Sequence, residues 1–469
     1  MLKKAFMLVS GNAFGAALLL MRNLIVARLI SPEDYGIATT FAIVMSIVEM
    51  LSYFGLNQMI VVDKDGDDPA MQRALQGFQV LRGVVSSLFL FLISHYYARF
   101  LGVEDIVWAY QLMAIIPLVN GLQHFDIHRL KRHMVFRPWI LSQSVPPLIA
   151  VLTLWPIAMI YGDYRIMLIS LFIQTFSMVG MSHLTAERPY GLTLDITLMK
   201  RATVFGWPLL LNGVLLFGVF NGERLIVGNQ LGMAPLAVFS MAITLTLTPT
   251  LVMAGACQSI FLPKLSAARD RPDEFRWLGV VTTEAGLAIG VLLILGMVLL
   301  GGPVMHLLLG SKYAAILGLL VPMAVLQAVR VAKTGGSTVA LSKERSGNAA
   351  AANLFRVLSL PLSWFAVAQT GSMLTVIGIA TVAELMGFVL SLRLAAGRAG
   401  LSLRPLVLPS LLSAFACVAA LIDVWIYPPQ TDIWAHLDWS RWVVVLICLA
   451  ALGSMTGLRG YFVRRIKER

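Results

Sequence analysis

Long apolar segments follow one another along almost the whole chain, and this pattern constrains the fold more than any other feature. Each segment is long enough for an α-helix to cross the hydrocarbon core of a bilayer, which takes about 20 residues. The segments are continuous, whereas strands of a membrane barrel alternate in hydrophobicity over about ten residues. We therefore predict an all-α polytopic membrane protein with about 14 transmembrane helices. The predicted spans are 5–29, 36–61, 75–99, 106–127, 138–160, 164–184, 203–229, 234–262, 277–301, 315–340, 346–368, 373–396, 405–427 and 440–458.

Composition and charge exclude a soluble protein. Hydrophobic residues make up 58% of the chain and charged residues 13%, and the mean hydropathy is +0.81, whereas soluble domains have about 25% charged residues. The net charge of +12 could indicate nucleic-acid binding, but the basic residues are concentrated in alternate loops, as the positive-inside rule requires. The charge therefore predicts membrane topology, with both termini in the cytoplasm and no nucleic-acid partner.

The chain resembles two copies of one membrane unit. Leu24-Ile25-Val26 reappears about 200 positions later as Leu225-Ile226-Val227. Six spans per copy is an even number, so both copies enter the membrane in the same sense, as in a parallel repeat. We predict one six-helix lobe at 1–200, a second at 201–398, and a further helix pair with a basic cytoplasmic tail at 399–469. Prolines recur at matching places in the two copies: Pro117 with Pro322, and Pro146 and Pro147 with Pro361.

The sequence lacks the motifs of a soluble enzyme. It contains no P-loop, no dinucleotide-binding fingerprint, no His-Glu-x-x-His pair and no nucleophile elbow. We therefore expect no catalytic residue, no metal site and no organic cofactor, and the protein is predicted not to be an enzyme.

Charged side chains inside the predicted spans are the candidates for a functional site. A charge at the centre of a bilayer costs at least about 2.5–3.5 kcal/mol, so these groups should face a bundle interior or a wet cavity. Cations outnumber anions, and a cationic cavity favours an anionic ligand such as phosphate, whose oxygens match the guanidinium group. Arg28 lies near a helix end and can reach the interface. The predicted substrate-binding residues are Arg22, Arg82, Arg224, Arg330, Lys333 and Arg356, of which Arg356 lies deepest in its span.

The carboxylates in the spans have two interpretations. Glu49, Glu284 and Glu384 lie well inside their segments and could bind a coupling proton or sodium ion. Equally, each could neutralise a neighbouring cation, and Glu384 is a candidate partner for Arg356. Both interpretations stay open at the level of the sequence.

Several segments resemble those of a known transporter family. They are similar to segments of bacterial polysaccharide flippases of the Wzx type, in the polysaccharide transport family of the MOP superfamily. The second copy departs from the pattern, because Gly232-Met233-Ala234-Pro235 lacks the form Pro-Glu-Asp-Tyr-Gly. The segments are Ala27–Gly36 (Ala-Arg-Leu-Ile-Ser-Pro-Glu-Asp-Tyr-Gly), Phe54-Gly55-Leu56, Arg129–Arg137 and Leu225–Leu231.

The resemblance implies a function. Such a protein would move undecaprenyl-pyrophosphate-linked oligosaccharide repeat units across the bacterial cytoplasmic (inner) membrane by alternating access of two lobes, for exopolysaccharide, capsule or O-antigen synthesis. Its partners would be this lipid-linked oligosaccharide, membrane lipid, and the polysaccharide polymerase and export machinery.

Two other functions remain alternatives. A cation-coupled, MATE-like exporter of small molecules could share the fold, but it would need an anionic binding lobe. A membrane oligosaccharide polymerase or glycosyltransferase usually carries a large periplasmic loop. The longest predicted outer loop here, at about 428–439, is short and offers only Asp432, His436 and Asp438.

Overall fold

The computed structural model describes residues 2–52, 54–345, 347–427 and 439–467. Every regular element among these residues is a helix, which confirms the predicted all-α class. Asp432, His436 and Asp438, the residues considered for a glycosyltransferase, lie outside the described residues.

The membrane spans agree in part with the prediction. Among the described residues, ten helices are long and apolar enough to cross a membrane, or twelve if each of two bent helix pairs is one span. The bent pairs are Glu104–Gly121 with Asp126–Arg132, at 48°, and Arg441–Gly453 with Thr456–Arg464, at 62°. The helices of the first two predicted spans are not in this set. A polytopic membrane protein is confirmed, and the count of fourteen stays a prediction.

The chain divides into two compact units. Unit 1 comprises Met1–Asn221 and Leu231–Ala237, and unit 2 comprises Gly222–Gln230 and Val238–Arg469. The predicted lobe boundaries at 201 and 399 stay predictions.

Unit 1 combines long helices with several short ones. The helices are α1 (Leu2–Leu29), α2 (Pro32–Leu51), α3 (Leu56–Val62), α4 (Pro69–Leu101), α5 (Val107–Met113), α6 (Ile115–Gly121), α7 (Asp126–Arg132), α8 (Arg137–Ala158), α9 (Arg165–Leu184) and the larger part of α10 (Ile196–Leu231). Helix α8 packs against α1 and α9, and α4 packs against α5 and α6.

The turn before α2 follows directly from its sequence. The side chain of Ser31 caps the helix, because its Oγ accepts a hydrogen bond from the Asp34 backbone N–H at 3.1 Å. Pro32 occupies the first helical position, where a backbone N–H is not needed. Gly36 follows, and a Cβ atom at this position would lie 2.0 Å from the backbone oxygen of Met233, also in unit 1. The segment Ser-Pro-Glu-Asp-Tyr-Gly therefore combines a helix start with a close backbone contact.

Predicted span two is broken in the structure. Helix α2 ends at Leu51, and the short helix α3 begins at Leu56 after Gly55, which has a φ of +60°. Glycine adopts this left-handed conformation without the steric penalty of a side chain. Hydropathy averages over such a break, so the sequence predicted one continuous span from 36 to 61.

Unit 2 is built on long helices that cross closely. The helices are the remainder of α10 and most of α11 (Met233–Ala267), then α12 (Pro272–Leu309), α13 (Leu317–Ser342), α14 (Gly347–Thr370), α15 (Met373–Ala399), α16 (Arg404–Ile426), α17 (Trp439–Gly453) and α18 (Thr456–Lys467). Helix α13 packs against α12 and α15, and α15 packs against α14. Gly286 and Gly290 of α12 lie against the α13 backbone, where a Cβ atom would come within 3.0 Å of the Val331 and Ala328 oxygens. Small residues four positions apart thus allow close helix contact.

Candidate functional site

Five charged side chains form one buried cluster inside unit 2. Arg330 and Lys333 project from α13, Arg356 from α14, Glu384 from α15 and Glu223 from α10. The packing of α15 against both α13 and α14 brings these residues together. Glu384 is 0% exposed and Arg356 is 1% exposed. We call this group the charge cluster.

Glu384 is the acceptor at the centre of the charge cluster. Its Oε1 atom accepts a hydrogen bond from Arg330 Nε at 2.9 Å, and its Oε2 atom accepts one from Lys333 Nζ at 2.5 Å. Lys333 Nζ also donates to Asn353 Oδ1 at 2.7 Å, and Arg330 Nη1 donates to Gln327 Oε1 at 3.1 Å. The spacing of Arg330 and Lys333 places both on one helix face, so that each reaches a different oxygen of the same carboxylate.

Arg356 lies between two carboxylates. Its Nη2 atom forms an ion pair with Glu223 Oε1, and its Nε atom lies 3.7 Å from Glu384 Oε1. The Nη1 atom is buried and has no hydrogen-bond partner among the described residues. Arg356 is therefore paired by charge while part of its guanidinium donor capacity is unused.

The balance of charge in this cluster leaves one excess positive charge. Three cations face two carboxylates when all five groups are ionised. Buried ions are stable only when their partners and hydrogen bonds are in place, and loss of one partner costs about 3–5 kcal/mol. A cation of this cluster can therefore contact a phosphate oxygen only if the phosphate takes the place of the carboxylate with which that cation is paired.

Three of the predicted site residues lie in unit 1. Arg22 is 7% exposed and its Nη1 atom donates to Gln174 Oε1. Arg82 Nη1 donates to the Ser52 backbone oxygen at 3.2 Å. Glu49 and Arg82 both line a cavity of about 370 Å³. Arg224, in unit 2, lies on α10 next to Glu223, and neighbouring helix positions point about 100° apart.

Glu284 has a helix N-terminus as its partner. This α12 residue is 0% exposed, and its Oε2 atom accepts a hydrogen bond from the Leu458 backbone N–H, in the first turn of α18, at 2.6 Å. A carboxylate at this position compensates the unpaired N–H groups and the positive end of the helix dipole. Its Oε1 atom has no hydrogen-bond partner in the described part of the chain. A role in ion coupling stays a prediction for Glu49, Glu284 and Glu384.

One member of the charge cluster and two of its hydrogen-bond partners were absent from the predicted site. The member is Glu223, and the partners are Asn353, which binds Lys333, and Gln327, which binds Arg330. Asn353 lies three positions before Arg356 and Gln327 three positions before Arg330, so helical spacing around each predicted cation was a usable signal. No comparable signal links Glu223 to Arg356, because they lie on helices far apart in the sequence.

Solved structures that share this fold are membrane transporters. The lipid II flippase MurJ, in an inward closed conformation, aligns over 98% of this chain and 99% of its own, with 13% identity and a TM-score of 0.68. An inward-facing multidrug resistance MATE family transporter of the MOP superfamily aligns over 82% of this chain and 94% of its own, with 14% identity and a TM-score of 0.65. At these identities the likeness shows a shared fold and no more.

The chain belongs to the polysaccharide biosynthesis protein family, which matches residues 25–317. The succinoglycan biosynthesis transport protein ExoT of Rhizobium meliloti (strain 1021) is 24% identical over 310 residues. That alignment covers 63% of this chain and 60% of the length of the relative. The resemblance stated from the sequence segments is thereby confirmed at the level of the family.

Proposed function

We propose that this protein moves undecaprenyl-pyrophosphate-linked oligosaccharide across the bacterial cytoplasmic membrane by alternating access. Membership of the polysaccharide biosynthesis family and the transport relative support this function. The observation that carries the proposal is the charge cluster, with its one excess positive charge inside membrane helices. Such a cluster suits a diphosphate headgroup that has to cross an apolar layer.

In this proposal the headgroup exchanges with Glu384. Arg330 and Lys333 retain small exposed fractions, 12% and 7% of their side chains, whereas Glu384 has none. A phosphate oxygen would therefore approach these two cations and replace a carboxylate oxygen, with a planar guanidinium favouring a bidentate contact. Arg356 positions Glu384 and Glu223 and is not itself the first contact. Reversal of this exchange would release the headgroup on the other side.

The membrane topology, the partners and the ion coupling belong to the same proposal. Both termini would lie in the cytoplasm, where the basic loops are retained. The translocated unit would pass to a polysaccharide polymerase and the export machinery. Coupling to H⁺ or Na⁺ would use a carboxylate among Glu49, Glu284 and Glu384.

The test is binding of undecaprenyl pyrophosphate to purified protein in nanodiscs. We expect saturable binding that weakens with salt, because the contact is electrostatic. Arg330→Gln should weaken it about tenfold or more, as expected for loss of a hydrogen bond to a charged group. Arg393→Gln, an exposed arginine on α15, is the matched control and should bind as the wild type.

Binding and enzymatic assays on the same purified protein distinguish the proposed function from the two alternative functions, a MATE-like exporter and a polymerase or glycosyltransferase. Binding of tetraphenylphosphonium, a drug-like cation, with no binding of undecaprenyl pyrophosphate would favour a MATE-like exporter. Formation of new glycosidic bonds by the purified protein from lipid-linked sugars would favour a polymerase or glycosyltransferase. Either result would overturn the proposed translocation.

A further inference from the structure

A cavity inside unit 1 carries an inference about the saccharide. Its volume is about 370 Å³, within the range of about 300–1,000 Å³ that is usual for small-molecule sites. It lies where α2 ends and α3 begins, and α4, α6 and α8 close it from other sides. All of these elements belong to unit 1.

Amide side chains dominate the polar lining of this cavity. Amide groups in membrane proteins commonly bond neighbouring helices, and Gln79 does so, with its Nε2 atom donating to the Asn120 backbone oxygen at 3.1 Å. Asn57, Gln123 and Gln143 differ from Gln79. Within the part of the chain that the structure describes, the side chains of these three residues make no hydrogen bond to another residue.

The three free amides match the chemistry of a sugar. Each amide group offers two N–H donors and one carbonyl acceptor, and each sugar hydroxyl can both donate and accept. The amides come from three different elements, α3, the segment after α6, and α8, so they approach a ligand from separate directions. A polyhydroxylated ring can satisfy such a set, whereas an apolar drug would leave the amides unpaired.

Charge in the cavity favours a neutral ligand. Glu49 and Arg82 supply one charge of each sign to the lining. The indole of Trp139 adds an apolar wall, against which the C–H face of a pyranose ring can pack. Lys131 Nζ lies 4.7 Å from the centre of the Trp139 indole ring. The lining therefore combines amides, an aromatic surface and balanced charge.

We propose that this cavity binds a neutral pyranose ring of the lipid-linked saccharide and thereby determines which saccharide is accepted. This inference rests on the proposed function, because the ring belongs to the saccharide of the proposed lipid-linked substrate. Asn57 and Gln143 are the specificity residues.

The experiment compares carrier lipids with and without a sugar. Full-length protein in nanodiscs is titrated with undecaprenyl pyrophosphate, and with the same lipid carrying a short oligosaccharide of glucose, galactose or N-acetylglucosamine. At least one sugar should tighten binding about tenfold, as two or more net hydrogen bonds would. In Asn57→Ala/Gln143→Ala this increment should disappear while binding of the bare carrier is unchanged. Gln58→Ala, an exposed amide outside the cavity lining, should keep the increment.

The outcomes distinguish the two proposals. Failure of every carrier lipid to bind the wild-type protein would contradict the proposed function. Equal binding of all four lipids, or an increment that survives the double variant, would overturn the sugar site alone. If the double variant does not fold, Gln143→Leu keeps the side-chain volume and should reduce the increment at least about threefold.

Discussion

Arg356 is the residue whose environment is most demanding. It is almost fully buried among membrane helices and depends on Glu223 and Glu384 for compensation of its charge. Removal of one ion from such a group leaves the opposite charge of its partner buried and unpaired, and this lowers the stability of the fold. Replacement of a whole ion pair by apolar side chains is often close to neutral.

Paired substitutions test this account of Arg356. We expect Arg356→Met to lower the free energy of unfolding by about 3–5 kcal/mol, because Glu223 loses its ion-pair partner. Arg356→Met/Glu223→Met should recover most of that loss. Thermal unfolding in detergent measures both. A double variant that is less stable than Arg356→Met would contradict the pairing.

Glu284 is expected to stabilise the start of α18. Glu284→Leu removes the acceptor of the Leu458 N–H group and should cost about 1–3 kcal/mol locally, whereas Glu284→Gln retains an acceptor and should cost less. Hydrogen exchange at 456–460 is the measurement, and faster exchange in the leucine variant is the expected result. Glu274→Gln, an exposed carboxylate on the same helix α12, should have no effect on α18. Unchanged exchange in Glu284→Leu would rule out this role.

The sequence predicted the kinds of residue in the charge cluster better than their contacts. The three-residue spacing of Arg330 and Lys333 indicated a shared face, and Glu384 was a candidate partner of Arg356. Both are part of the observed cluster. The pairing of Arg356 with Glu223 could not be predicted, because it depends on how distant helices rotate and on the depth at which they cross.

At the scale of elements, the contact between Gly36 and Met233 makes a sharp prediction. In Gly36→Ala the new Cβ atom would lie 2.0 Å from the Met233 backbone oxygen, so α2 would have to move. We expect a loss of at least about 1–3 kcal/mol, as for other overpacked sites. Gly162→Ala is the control, since a Cβ atom there meets nothing within 4 Å. Melting temperature and the monodisperse fraction report the result, and equal behaviour of both variants would contradict the close contact.

The loop between α3 and α4 should respond to acid. Asp67 Oδ1 lies 2.6 Å from His133 Nε2, and this hydrogen bond holds the pKa of Asp67 below its usual value. Because the pKa of Asp67 is lower in the folded than in the unfolded protein, the contact stabilises the fold fully at pH values above the unfolded pKa of about 3.9. This stabilisation is lost as the pH falls through the lower pKa of the folded protein. Asp67→Asn should therefore lower the melting temperature slightly at pH 7. A difference that persists undiminished near pH 3 would contradict this assignment.

Breaks within three helical segments were not predicted from the sequence. The predicted spans 36–61, 106–127 and 440–458 each contain a break or a bend in the structure. Apolar residues continue across these points, so hydropathy shows no interruption. Gly55 was a local signal for the first break, because glycine permits the left-handed conformation that it adopts there.

At the scale of the whole molecule, composition was enough to define the class. Long apolar segments can only be membrane helices, and the structure and the family agree. The parallel repeat and the lobe boundaries stay predictions. The proposed function adds a demand that composition cannot express, since a diphosphate and several sugars would have to cross a layer in which each unsatisfied polar group costs several kcal/mol. In this proposal the protein replaces water for both parts of the substrate.

Translocation in proteoliposomes tests the proposed function most directly. The vesicles contain undecaprenyl pyrophosphate linked to a sugar that carries a fluorophore, and a membrane-impermeant reductant bleaches only the outer leaflet. We predict that wild-type protein exposes the inner-leaflet lipid to bleaching, that Arg330→Gln slows this exposure, and that Arg393→Gln does not. If vesicles with wild-type protein are bleached only to the extent of protein-free vesicles, the protein does not translocate this lipid and the proposed function is wrong.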